Sequence, residues 1–196
     1  MAITTDTIKE LRDRTGVSVM QCKKALEEAA GDIAKALVIL QKKGADSAAK
    51  KSDRTLGAGI ITAYIHSNGS VGAMIEVACE TDFVAKNPDF KAFAYDIAMH
   101  IAAQKPEFLK KEDITAEVKK VATEVFEKDV EGKPADMKAK ILEGKLNAYF
   151  GDRVLLDQPF IKNPELTISG VVAAAIQKFG EKVEIVRFVR YGAFEK

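Results

Sequence analysis

An apolar alternation at Val71, Ala73, Ile75 and Val77 predicts a strand, and recurrence at helical spacing through Phe90, Phe93, Ala94, Ile97, Ala98 and Ile101 predicts a helix. The stretch between them, Cys79 to Phe90, is a strand-to-helix corner. Asn87 followed by Pro88 marks the start of the helix, because Asn caps free backbone N–H groups and proline fits the first helical position without losing a bond. Asp82 and Phe83 then fall on the connection, ahead of the helix. A large apolar ring on an exposed connection suits burial in a partner's pocket, at roughly 1.5–3 kcal/mol for full burial. The alternative is local: Thr81 caps a short turn and Phe83 folds inward as a hydrophobic staple.

Upstream, the pattern predicts three short helices. Thr4, Thr5 or Asp6 caps the first, with Ile8 and Leu11 inward and Gly16 at its end. Ser18 to Gln21 has capping-box spacing and opens the second, which carries Cys22, Ala25, Leu26 and Ala29 on one side and stops at Gly31. Asp32 caps the third, with Ile33, Ala36, Leu37 and Leu40 on its stripe and Gly44 as its stop. Short helices cannot bury their apolar faces singly, so the three should pack as a bundle, a pattern that resembles the ubiquitin-associated fold. Residues 1–45 are expected to form this bundle. Small and charged residues over 46–55 read as a linker.

Residues 56–196 read as a larger α+β domain. Ile60 to His66 and Val71 to Cys79 flank Asn68-Gly69, a hairpin signal, and Val183 to Tyr191 is dense in β-branched and aromatic residues. The three strands are expected in one antiparallel sheet. Each carries apolar groups on both faces by alternation, with Ile60 and Tyr64 against Ile61 and Ile65, and Ile185 and Val189 against Val186 and Phe188. Helices cover one face, and a second copy of the chain is expected on the other. Helical stretches run from Pro88 to about Gln104, Ile114 to about Val130, Ala135 to Phe150 after a break at Gly132-Lys133-Pro134, and Thr167 to Phe179. Strands and helices are segregated rather than alternating, hence α+β.

Composition narrows the function. Thirty basic residues against 29 acidic leave a net charge of +1, so no global field favours nucleic acid or an anionic membrane. Paired lysines such as Lys23-Lys24 and Lys42-Lys43 lie among acids and alanines rather than aromatics, which marks a solvated face. Cys22 and Cys79 form no Cys-x-x-Cys pair, which argues against a zinc site or disulfide scaffold. No leader-like start and no membrane-length apolar run is read, so a cytoplasmic protein is expected. Candidate covalent chemistry is limited to Cys79, His66 and Glu76 or Glu80. Strand parity separates Cys79 from Glu76, and no phosphate loop or glycine fingerprint is present, so no cofactor, metal or nucleotide is expected on this chain.

Glu80-Thr81-Asp82-Phe83-Val84-Ala85-Lys86-Asn87 resembles the signature of translation elongation factor Ts, the guanine-nucleotide exchange factor for elongation factor Tu. Leu11 to Gly16 with Met20 to Leu26, Leu155 to Lys162, and Gly180-Glu181-Lys182 with Arg187 to Tyr191 resemble further landmarks of that family, so the likeness covers essentially the whole chain. It implies no enzyme in the covalent sense. Instead it implies a protein that binds elongation factor Tu with GDP, displaces Mg2+ and promotes exchange for GTP. Thr81, Asp82, Phe83 and Val84 would form the edge that disturbs the partner's metal site, and Arg12, Val19 and Met20 of the amino-terminal bundle would dock on the partner's nucleotide domain. A single set of core elements resembles the short form of the family, in which two copies pair. The competing expectation is a non-catalytic adaptor, a ubiquitin-associated-like bundle fused to a dimerising domain.

Overall fold

In a computed structural model, residues 3–130 and 134–195 are described. The chain runs α1 (Thr5–Thr15), α2 (Val19–Glu28), α3 (Ile33–Ala49), β1 (Ala58–Ile65), β2 (Val71–Cys79), α4 (Asp82–Lys86), α5 (Pro88–Gln104), α6 (Ala116–Lys128), α7 (Ala135–Gly151), β3 (Pro159–Phe160), β4 (Asn163–Thr167), α8 (Ile168–Phe179) and β5 (Val183–Gly192). This is the α+β arrangement the sequence predicts.

The helix boundaries follow their caps. Thr4 closes a capping box with Thr7 on α1, and Gly16 ends that helix at φ 67°. Ser18 caps α2 by accepting from the Gln21 N–H, but the return bond of a full box is missing and the Gln21 Oε1 is buried without a partner. Asp32 accepts from the Lys35 N–H to start α3. Leu11, Val17, Cys22, Leu26, Ala36 and Leu40 meet in one small core, which makes α1 to α3 a bundle.

Gly44 does not stop α3. The helix continues to Ala49 because tertiary packing rewards it: a Cβ on Gly44 would sit 3.4 Å from the Cβ and carbonyl of Ala173, so glycine lets α8 approach the α3 backbone. Arg14, at the end of α1, adds an ion pair to Glu165 of β4 at 2.7 Å. The bundle therefore leans on α8.

β1, β2 and β5 form an antiparallel sheet with β2 in the middle. Its inner face carries Ala73, Ile75, Val77, Val183 and Ile185 against Phe90, Ala94, Ile97 and Ile101 of α5 and Ile176 of α8. One alternation expected from sequence is corrected. A register shift between Glu76 and Val77 inserts an extra residue in β5, so Ile185 and Phe188 share the inner face, while Val186 and Val189 lie on the outer one. Simple parity would put Ile185 with Val189.

Beyond the sheet, α6 and α7 form a helical hairpin seated on Ile114, Ala122, Phe150 and Val154. Thr115 caps α6, which starts at Ala116, two residues later than the periodicity suggests. Of the predicted break at Gly132-Lys133-Pro134, Gly132 and Lys133 lie outside the described residues, and Pro134 sits at the start of α7. The short β3–β4 ribbon, too brief to show a period, was not predicted.

The segment between α7 and β3 is fixed from within. Gln158 is buried, and its amide donates to the Gln104 and Asp152 carbonyls at 3.2 and 2.7 Å. Its Oε1 lies 2.9 Å from the Nε2 of buried His100, whose Nδ1 accepts from the Ile161 N–H at 3.3 Å. These bonds assign the proton to Nε2 and keep the ring neutral.

Candidate functional site

The corner between β2 and α5 is built in layers. Cys79 ends β2 inside the core, where its thiol donates to the Thr81 carbonyl at 3.2 Å. Thr81 then caps α4, a helix of five residues, by accepting from the Val84 N–H. Asn87 accepts from the Asp89 N–H and starts α5, with Pro88 in the first turn. The local alternative for this corner is therefore half right. Thr81 does cap a short helix, but Phe83 does not fold inward: its ring is 81% exposed.

Val84 turns the opposite way, at 4% exposure, and packs with Ala85 into the main core. Of the four residues singled out at the corner, Asp82 and Phe83 are displayed, Thr81 shapes the turn and Val84 anchors it. The Asp82 carboxylate meets Lys86 one helical turn on, at 2.6 Å. That hydrogen bond and charge hold its pKa below the usual carboxylate value, so an ionised acid stands beside an exposed ring.

The corner is held from the far end of the chain. One carboxylate oxygen of Glu181 accepts from the Glu80 and Thr81 N–H groups at 3.1 and 3.0 Å, and the other accepts from the Thr81 hydroxyl at 2.6 Å. In return the Glu80 carboxylate accepts from the Lys182 backbone N–H and from Arg54, and these contacts lower its pKa, the Lys182 bond most. The Lys182 ammonium donates to the Ser52 and Arg54 carbonyls at 2.7 and 3.2 Å. Sequence reading passed over these partners, since residues about a hundred apart carry no local signal. The one sign was that Gly180-Glu181-Lys182 stood out as a landmark.

In the bundle, Val19 and Met20 open α2 and are 50% and 66% exposed, and Arg12 is exposed on α1. Met20 is thus a surface knob. Val38 on α3 is a further exposed apolar side chain of the bundle, which the helical stripe did not single out. The bundle packs on α8, and the corner is held by the two residues just past the Gly180 cap of that helix. One helix therefore supports both groups of candidate residues.

The residues considered for covalent chemistry are not assembled. Cys79 pairs with Ala58 at one end of the β1–β2 hairpin, whereas His66 lies in the turn at the other, bonded to the Tyr64 hydroxyl at 2.9 Å. Burial pushes the Cys79 thiol pKa up, away from nucleophilic use. Among the described residues no group of three or more His, Cys, Asp or Glu is placed to hold a metal ion, and no helix is long and apolar enough to cross a membrane.

The family model described as Elongation factor TS matches residues 47–195. The chain is similar to Elongation factor Ts of Carboxydothermus hydrogenoformans, 49% identical over 191 residues that cover 96% of this chain and 88% of the relative. It is 48% identical to Elongation factor Ts of Thermodesulfovibrio yellowstonii, over 97% of this chain and 96% of the relative. With Elongation factor Ts of Thermotoga petrophila the identity is 44%, at the same two coverages. On the strength of the family match and these near full-length likenesses, the chain belongs to the elongation factor Ts family of translation elongation factors.

Proposed function

We propose that this chain is a guanine-nucleotide exchange factor that binds elongation factor Tu with GDP, displaces its Mg2+ and promotes GDP release and replacement by GTP. The observation that carries this reading is the pose of the corner: an exposed Phe83 beside an ionised Asp82, on a short helix anchored by Val84 and Glu181. Exposing such a ring to water is unfavourable unless a partner covers it. Phe83 wedges between elements of the partner's nucleotide domain, and Asp82 redirects polar contacts beside the metal. Arg12, Val19 and Met20 supply anchorage on the same partner. The work is done by binding, with no covalent step and no cofactor of its own, in the cytoplasm.

Linkage supplies the mechanism. A nucleotide held in a magnesium-dependent pocket leaves faster when a partner stabilises the state lacking the metal. By reciprocity, GDP with Mg2+ weakens the hold of this protein on its partner by the same factor.

Among the described residues nothing covers the outer face of the sheet, where Ile61, Ile65, Met74, Val189 and Tyr191 are exposed. A second copy of the chain covers it in this reading, giving a homodimer whose larger domain, 56–196, pairs while the bundle, 1–45, remains a docking unit seated on α8, the expected linker over 46–55 being in part the last turn of α3, which ends at Ala49. Neither face calls for direct contact with nucleic acid.

The test uses a fluorescent GDP analogue loaded on elongation factor Tu. The parent protein accelerates its release, and an Asp82→Ala, Phe83→Ala double variant loses most of that acceleration. An adaptor would bind without changing the release rate. A double variant as fast as the parent sinks the exchange reading of the corner.

A further inference from the structure

Four segments meet behind the corner: the turn after α3, the end of β2, the start of α4 and the loop that follows α8. Their bonds are reciprocal. Glu181 receives the backbone of Glu80 and Thr81, while Glu80 receives the backbone of Lys182 and the guanidinium of Arg54. An acid that collects two N–H groups and a hydroxyl fixes the orientation of the peptide it holds, and bonds to a charged acceptor are the stronger kind. The peptide held here is the one that launches Asp82 and Phe83.

We infer that Glu181 is a positioning residue for nucleotide exchange, holding the Thr81–Phe83 corner in its protruding pose through the hydroxyl of Thr81 and the N–H groups of Glu80 and Thr81. This rests on the corner being the exchange-promoting edge. A five-residue helix has almost no stability of its own, so without the carboxylate, and with Val84 and Ala85 left to anchor it, the corner samples further poses and only a fraction of them places Phe83 for entry. Activity is then scaled by that fraction, in the same way that a partly populated binding state scales affinity. The bundle surface is not part of this contact, so initial docking is spared. Loss of Glu181 therefore lowers the maximal rate of nucleotide release more than it changes the concentration needed for half of it.

The chemistry also predicts the outcome of the conservative change. Both backbone N–H groups go to a single oxygen of Glu181, Oε2. A Gln whose carbonyl replaces that oxygen keeps both bonds. Its amide then donates to the Thr81 hydroxyl, which turns to accept.

The test measures release of a fluorescent GDP analogue from elongation factor Tu across a range of concentrations of the full chain. Expected are a fall of about tenfold in maximal rate for Glu181→Ala, with the half-saturating concentration changed by less than about threefold, and recovery to within about threefold of the parent for Glu181→Gln. The same Glu181→Ala change made on a Phe83→Ala background should cost little more, because the ring it positions is already gone. If Glu181→Ala does not fold, judged by circular dichroism, Glu181→Asp replaces it, since it keeps the charge but shortens the reach by one methylene. An unchanged maximal rate in Glu181→Ala (or Glu181→Asp), a Gln variant as slow as the Ala one, or an equal loss on the Phe83→Ala background overturns the positioning role. If instead the parent gives no acceleration, or Phe83→Ala loses none, it is the exchange reading of the corner that fails.

Discussion

Phe83 and Val84 are neighbours in the chain and face opposite ways, the ring to solvent and the isopropyl group into the core. Their truncations should therefore separate activity from stability. Phe83→Ala should leave the unfolding free energy within about 0.5 kcal/mol of the parent and cut nucleotide release from the partner by roughly 10- to 100-fold. Val84→Ala should cost about 1–3 kcal/mol of stability and lower activity only as far as the corner loosens. Urea titrations beside release kinetics check both.

His100 sets a pH dependence. Desolvation by burial pushes its pKa down, against a smaller upward pull from Gln158. The unfolded chain thus binds this proton more readily than the folded one, so stability is full above the ordinary histidine value of about 6.5 and is lost as the pH falls towards and through the lower folded value. A protonated ring would also set an N–H against the Ile161 N–H that Nδ1 now accepts. Urea midpoints between pH 8 and pH 5 should fall, and fall less in a His100→Gln variant.

Gly44 tests how the bundle meets α8. Gly44→Ala gains helix propensity and brings a methyl group to 3.4 Å from Ala173, so it should be neutral or stabilising by up to about 1 kcal/mol. Gly44→Leu must push α8 away and should cost about 1–3 kcal/mol. Thermal unfolding of the two variants, with opposite or unequal signs, measures the closeness of the contact.

The outer face of the sheet should reveal its cover by charge. Sedimentation should find dimers in the parent at micromolar concentration, and Met74→Lys should shift the chain towards monomer, since a buried lysine without a partner is strongly unfavourable. A parent that stays monomeric across the range would remove the second copy from the account.

The parts of the fold legible in the sequence were those written in local chemistry. Thr4, Ser18, Asp32 and Asn87 bond to backbone within three residues, so the helix starts could be read directly. Alternation fixed the inner face of β2, where Ala73, Ile75 and Val77 are buried. What failed to show depended on distant neighbours. Gly44 reads as a stop until Ala173 is known to lie against it, and the alternation of β5 is broken by an extra residue that has meaning only beside β2. At the corner, residue types indicated a cap and a protruding ring, yet Thr81 could equally have led Phe83 inward. The direction is decided by Val84 and Ala85 filling the core and by Glu181, far along the chain.

The bonds that steady Phe83 come from positions near 54, 80 and 181, so they cannot form until the ribosome has passed residue 182, about a hundred residues beyond the ring itself. A product cut short before Glu181 would carry the corner's full sequence without its posture. Synthesis itself thus withholds the steadied corner from chains that stop short of that point.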